Sequence, residues 1–223
     1  MDESIDVAVI GLREQNKQEK LERIKKAARE VFLEKGFEGA TTKEIAERSR
    51  VGTGTLFNYA SDKLDLLFLI TVDEVESMVN HAFSDVPREL TFLEQLIVVF
   101  RNNYQYYHRY RDLGLRLLRE MPFYFHEDRE AAKQFKAHSE NFISKLGGLV
   151  KNAAEDGKIQ PDCDVELVRD LIFTVFSREM RIWLSGPSPE VETGSTLIAS
   201  ETFTPVFIFQ KRERILFLNF VVI

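Results

Sequence analysis

TTKEIAERSRVGTGTLFNYASDK, residues 41–63, decides how this chain folds. Thr41 is followed three residues later by Glu44, the spacing of a capping box, and Ile45 and Ala46 then begin a buried face. The helix so opened has room for about two turns before Arg50-Val51-Gly52, which reads as a turn. Thr53 to Tyr59 reads as a second short helix. Ser61 and Asp62 offer N-caps for a long third helix through about Phe83, with Leu64, Leu67, Phe68, Thr71, Val75 and Met78 inward. Two short helices joined by a tight turn are stable only under the cover of another helix. That cover lies upstream. Asn16, with Glu19 three residues on, starts a helix whose Leu21, Ile24, Ala28, Val31 and Phe32 share one face. Gly36 ends it, as a glycine just past a helix does. Small Ala46 lets the short helices cross closely, and Ile45, Val51 and Leu56 fill the wedge between them.

The second short helix then has an outer face. It carries Thr53, Thr55 and Asn58, with Phe57 and Tyr59 at the edges. Short hydroxyl and amide groups suit base edges and phosphate oxygens, and aromatic rings suit sugars and the thymine methyl. Gly52 and Gly54 carry no side chains, so the amides there can approach a phosphate. Thr42 offers its hydroxyl and amide at the start of the other short helix. Lys63 stands in the first turn of the long helix, where a cation opposes the macrodipole; a phosphate at that point neutralises both. Taken singly, Leu56 and Phe57 are ordinary core residues, and Thr53 and Thr55 ordinary caps. Their joint spacing is what points to double-stranded DNA.

The charge pattern agrees with a local anion-binding surface. The 223-residue chain carries 30 Lys and Arg against 36 Asp and Glu, a net −6, which excludes a uniformly basic coat. Residues 17–63 nevertheless hold eleven basic residues and eight acidic ones. Hydrophobic residues make up 44% of the chain, 18 of them Phe, enough for one large or two small domains. Cys163 is the single cysteine, so no intramolecular disulfide can form, as suits a reducing compartment. It lies between Asp162 and Asp164, which disfavour the thiolate a nucleophile needs. His81, His108, His126 and His138 are scattered, and His126-Glu127 lacks a second histidine at metal-binding spacing. No catalytic residue, metal or cofactor is expected, so the chain does not read as an enzyme. Met1–Gly11 lacks a basic leader segment, and no run approaches the ~20 apolar residues of a membrane span. A cytoplasmic protein with no membrane partner is expected.

Helical periodicity continues near residues 91–109, 112–123, 128–155 and 165–184, and roughly 190–209, so the fold expected is all-α with about nine helices. Residues 1–15 have no clear period and read as frayed. Residues 16–62 form the helix-turn-helix unit, 63–210 a larger helical domain, and 211–223 an apolar tail without an assigned role. Asp85-Val86-Pro87 is a further break at which a domain boundary is expected. Aromatic residues at helical spacing crowd the larger domain. Most are core. Tyr104, Tyr107, Phe125, Phe142 and Phe173 are candidates to line a pocket for a small apolar or aromatic ligand.

The stretch from Lys17 to Leu67, and above all AREVFLEKGFEGATTKEIAERSRVGTGTLFNYASDKLDLL, resembles the DNA-binding domain of the tetracycline-repressor (TetR) family. The resemblance covers about a quarter of the chain. It implies an all-α homodimer, a palindromic DNA operator, and repression relieved by a small ligand in the C-terminal domain. It places DNA contacts on Thr42, Gly52, Thr53, Gly54, Thr55, Phe57, Asn58, Tyr59 and Lys63. It also places dimerisation on the last two long helices, through Ile172, Phe176, Met180 and Trp183, then Leu197, Ile198, Phe203 and Val206. Three positions depart from the family pattern. Arg50 stands where a glycine is usual, at a cost of about 1–2 kcal/mol if the backbone there is left-handed, and is expected to compensate by reaching a phosphate. Phe57 replaces a tyrosine and loses its hydroxyl. Gly52 replaces a Ser or Thr cap. The competing readings are a helical interaction protein that binds no DNA, and a regulator of this type without a ligand.

Overall fold

In a computed structural model that describes residues 11–186, the first helix, α1, spans Leu12–Gly39. It begins four residues before Asn16, which is therefore interior rather than a cap; extended Gly11 precedes the helix and offers no side-chain bond. Of the segment read as frayed, residues 12–15 are helical, and residues 1–10 lie outside the described part. Gly36 breaks the helical path as expected, at φ 67 and ψ 174, and the chain regains a helical turn as far as Gly39. Then follow α2 (Thr42–Ser49), α3 (Thr53–Leu56), α4 (Lys63–Ser84), α5 (Phe92–Arg109), α6 (Arg111–Tyr124), α7 (Glu130–Glu155) and α8 (Val165–Ser185). No strand occurs among the described residues. The helix expected near 190–209, with Leu197, Ile198, Phe203 and Val206, and the tail 211–223 lie outside them.

The chain divides into two compact units between Thr71 and Val72, within α4. The expected divisions at 62/63 and at Asp85-Val86-Pro87 both fall elsewhere. A helix is cheaper to continue than to restart, so the sequence break after α4 does not mark where the packing changes. In the first unit Ile24, Ala28, Val31 and Phe32 of α1, with Ile45, Ala46, Leu56, Leu66, Leu67 and Phe68, form the core, each at most 2% exposed. Burying each large apolar side chain contributes ~1.5–3 kcal/mol, so this core holds the two short helices in place. Leu21 and Val51 are only half-buried and close its rim.

In the second unit Thr91 and Glu94 form a complete capping box at the start of α5, and the Asp164 carboxylate caps α8 by accepting from the Leu167 amide at 3.0 Å. Arg88 donates to both Asp156 oxygens, at 3.0 and 2.6 Å, which ties the segment before α5 to the end of α7. The Tyr107 ring packs on Gly114; a Cβ there would lie 2.7 Å from its Cδ1. Helix α8 packs against α5, α6 and α7. Its stripe Ile172, Phe176, Met180 and Trp183, expected to face a second copy, is at most 7% exposed and belongs to the core of its own chain. Helices α5, α6 and α7 of the same chain pack against α8 and cover it.

Candidate nucleic-acid interface

The turn between α2 and α3 is set by backbone bonds. The Thr41 hydroxyl accepts from the Glu44 amide at 3.2 Å and caps α2. Glu44 does not complete the box. Its carboxylate takes Lys35 Nζ at 2.6 Å and Arg48 Nη2 at 2.8 Å instead. Arg48 also grips Glu34 with two bonds, of 2.8 and 2.6 Å. Hydrogen bonding from Arg48 holds the Glu34 carboxyl below its ordinary range, and hydrogen bonding from Lys35 does the same for Glu44. This cluster latches α2 to α1. It also engages Lys35 and Arg48, two of the eleven cations between residues 17 and 63.

Helix α2 ends at Arg50, whose backbone is left-handed at φ 55 and ψ 43. Among the described residues no other non-glycine has positive φ. The Arg50 amide bonds the Glu47 carbonyl and the Val51 amide bonds the Ala46 carbonyl, each at 3.1 Å, closing the helix end. The arginine side chain is exposed.

Gly52 is the extended residue before α3. That helix ends at Leu56, not Tyr59 as expected. The Asn58 amide turns back to Thr55 and the Tyr59 amide to Leu56, tight three-residue bonds that carry the chain away from the α-helical path. Leu56 and Ala60 point inward, at 0% and 2% exposure. Thr53, Gly54, Phe57 and Asn58 are exposed, Thr55 and Tyr59 half-buried, and Thr42 half-buried on α2. Phe57 is 46% exposed, which the core reading of that residue cannot accommodate. Lys43 and Arg50 flank this surface in sequence, are exposed, and make no ion pair among the described residues. In the sequence Lys43 is one of eleven cations between residues 17 and 63, and no motif singles it out.

Two candidate contacts have partners within the chain. Tyr59 Oη donates to the Lys17 carbonyl at 3.3 Å. Lys63 Nζ donates to the Glu38 and Ala40 carbonyls, at 3.3 and 3.1 Å, and stands 4.6 Å from the Phe37 ring centroid. The carbonyls at the end of α1 thus compensate a lysine that opposes the α4 dipole, with no phosphate required. Asp62 Oδ1 accepts from the Asp65 amide at 2.8 Å, the cap expected for α4.

In the second unit the candidate ligand residues separate. Tyr104, Phe142 and Phe173 join one aromatic cluster: Phe142 lies 6.0 Å from both Phe173 and Phe176, and Tyr104 lies 6.0 Å from Phe176 and 5.0 Å from Trp183. Phe125 lies apart, 6.3 Å from Phe135, and Tyr107 sits 5.2 Å from Tyr106. Burial, then the charge of Glu179, pushes the Tyr104 hydroxyl well above the ordinary tyrosine range, so it stays protonated. Burial, with the flanking aspartates, likewise raises the Cys163 thiol. Among the described residues no group of His, Cys, Asp and Glu is arranged to hold a metal ion, and no helix is long and apolar enough to cross a membrane.

The sequence pattern of the bacterial regulatory proteins of the tetR family matches residues 24–70. The chain is 22% identical to the fatty acid metabolism regulator protein of Bacillus subtilis, over 71% of this chain and 80% of that protein. It is 26% identical to the HTH-type transcriptional repressor BepR of Brucella suis, over 72% and 78%. Among solved structures, the TetR-family transcriptional repressor FadR of Thermus thermophilus, in complex with lauroyl-CoA, superposes with a TM-score of 0.58 at 22% identity, covering 80% of this chain and 93% of that one. FadR of Bacillus subtilis, in complex with stearoyl-CoA, gives 0.57 at 20% identity, covering 80% and 97%.

Proposed function

We propose that this chain, whose residues 24–70 match the tetR family of bacterial regulatory proteins, acts as a homodimeric transcriptional repressor that binds a palindromic operator and is released by a small apolar ligand. The observation that carries the DNA-binding part is the exposed surface of Thr53, Gly54, Phe57 and Asn58, presented by a short helix that packs on α2 and is anchored by fully buried Leu56. Thr42, Thr55, Tyr59 and Lys63 surround it, and Lys43 and Arg50 supply exposed cations for phosphates. Such a helix enters the major groove, and a two-fold dimer presents two of them to half-sites about 34–36 Å apart.

The dimer reading uses the face of α8 that its own subunit leaves open. Leu167 is 41% and Ile182 50% exposed, with half-buried Leu171 and Val175 between them at helical spacing. A self-complementary apolar stripe is what a two-fold interface requires. The ligand reading rests on the aromatic cluster around Phe142 and Phe176 and on relatives whose structures hold stearoyl-CoA and lauroyl-CoA. It favours a ligand with a long apolar chain for the site that includes Tyr104, Phe142 and Phe173.

Selection from a random duplex library tests the whole. A palindromic consensus, bound with a steep salt dependence, is expected. Absence of sequence enrichment at moderate salt leaves the competing reading, a helical interaction protein without DNA.

A further inference from the structure

Arg111 opens α6 and reaches the end of α8. Its Nη2 donates to the Trp183 carbonyl at 2.8 Å and to the Gly186 carbonyl. Those two bonds account for one terminal nitrogen: they cap α8 with a cation, as its dipole favours. The other, Nη1, is closed off from water and meets no hydrogen-bond acceptor. Arg111 makes no ion pair among the described residues. The guanidinium is thus satisfied at Nη2, while Nη1 keeps a buried donor with no acceptor.

Beside the charge stands an aromatic ring. The guanidinium carbon lies 5.5 Å from the Trp183 ring centroid. Trp183 lies 5.0 Å from Tyr104, Tyr104 6.0 Å from Phe176, and Phe176 4.2 Å from Phe100. A cation with a spare donor therefore stands at one end of a continuous run of apolar rings. We infer that Arg111 is the anchor of an amphipathic anion, an apolar chain ending directly in a carboxylate or phosphate, whose charged oxygen bonds Nη1 while the chain lies along Trp183, Tyr104 and Phe176. The planar guanidinium suits either group, because its donors match their oxygens. This rests on the proposal above that the helical domain takes an apolar ligand. It adds that the ligand is charged and names the residue that reads the charge.

Dodecanoate, dodecyl phosphate and dodecan-1-ol, below their aggregation concentrations, share one chain and differ in the head group. Calorimetric titration of the full chain is expected to give at least one anion bound about tenfold or more tightly than the alcohol, the worth of one charge-assisted bond. Which anion wins identifies the head group. Arg111→Gln should erase the preference, so that the anions bind that variant no more tightly than the alcohol does. Should that variant fail to fold, Arg111→Lys, which keeps the charge but not the fork, is expected to retain only part of the preference. Equal binding of all three by the wild type overturns the role of Arg111 and leaves the apolar-ligand reading intact. Binding of none overturns that reading first.

Discussion

Arg50 is the residue at which the departure from the tetR-family pattern that residues 24–70 match has a measurable consequence. Its left-handed backbone, φ 55, puts a Cβ where the conformation favours none. Arg50→Gly relieves about 1–2 kcal/mol of that strain and returns part of it through the greater freedom of an unfolded glycine. The net expectation is a gain of about 0.5–1 kcal/mol, read as a higher urea midpoint at unchanged slope. If the exposed side chain holds a phosphate, the same variant binds operator more weakly, and its slope of log K against log salt falls by about 0.9 for each lost contact. A stabilised variant with the wild-type salt slope removes Arg50 from the interface. Gly114 makes the opposite case. Its missing Cβ leaves room for Tyr107, and Gly114→Ala, with a 2.7 Å approach to the ring, is expected to cost about 1–3 kcal/mol by urea unfolding. Arg50 was legible as a problem because the family that this stretch resembles usually carries glycine there. Gly114 was not, because only the packed structure shows which ring lies on it.

At the scale of elements, the latch between α1 and α2 rests on Glu34, Lys35, Glu44 and Arg48. Both glutamates have pKa values depressed in the fold, Glu34 chiefly by hydrogen bonding from Arg48 and Glu44 chiefly by hydrogen bonding from Lys35. A depressed acid stabilises the fold above its unfolded pKa and loses that contribution as pH falls through its folded one. The stability difference between wild type and Glu44→Gln is therefore expected at pH 7, to shrink below about pH 4, and to narrow in high salt. A difference constant from pH 7 to pH 3 rules out the charged latch. The latch also shows what periodicity can and cannot locate. The stripe Ile24, Ala28, Val31 and Phe32 was plain in the sequence, as was the cap at Thr41, because both depend on near neighbours. The end of α3 at Leu56 was not, since nothing between Phe57 and Tyr59 forbids helix; Leu56 and Ala60 are drawn inward by the core, and the backbone tightens to follow. Nor could spacing alone tell that Glu44 would leave its capping box for Lys35, a partner supplied by another helix.

For the molecule as a whole, the question left by α8 is which of its faces meets another copy. Periodicity identified the apolar stripe Ile172, Phe176, Met180 and Trp183, but an apolar stripe looks the same whether its partner is the same chain or another. Here its own helices bury it. The face carrying Leu167, Leu171, Val175 and Ile182 is therefore the one proposed for dimerisation. Ile182→Glu, at a position 50% exposed, introduces a charge that a single chain tolerates and a two-fold interface does not, because each copy brings the carboxylate into the same apolar patch. Sedimentation velocity should show a dimer for the wild type and a monomer for the variant, with equal helix content by circular dichroism. DNA binding then separates the scales. The variant is expected to hold a single half-site as the wild-type helix-turn-helix does, since nothing in residues 41–63 has changed. It should lose the added affinity of the full palindrome, where two linked recognition units act at high effective concentration and strengthen binding by about 10²–10⁴-fold. A variant that stays dimeric places the interface elsewhere. A monomeric variant that still prefers the palindrome shows that the two half-sites are read independently.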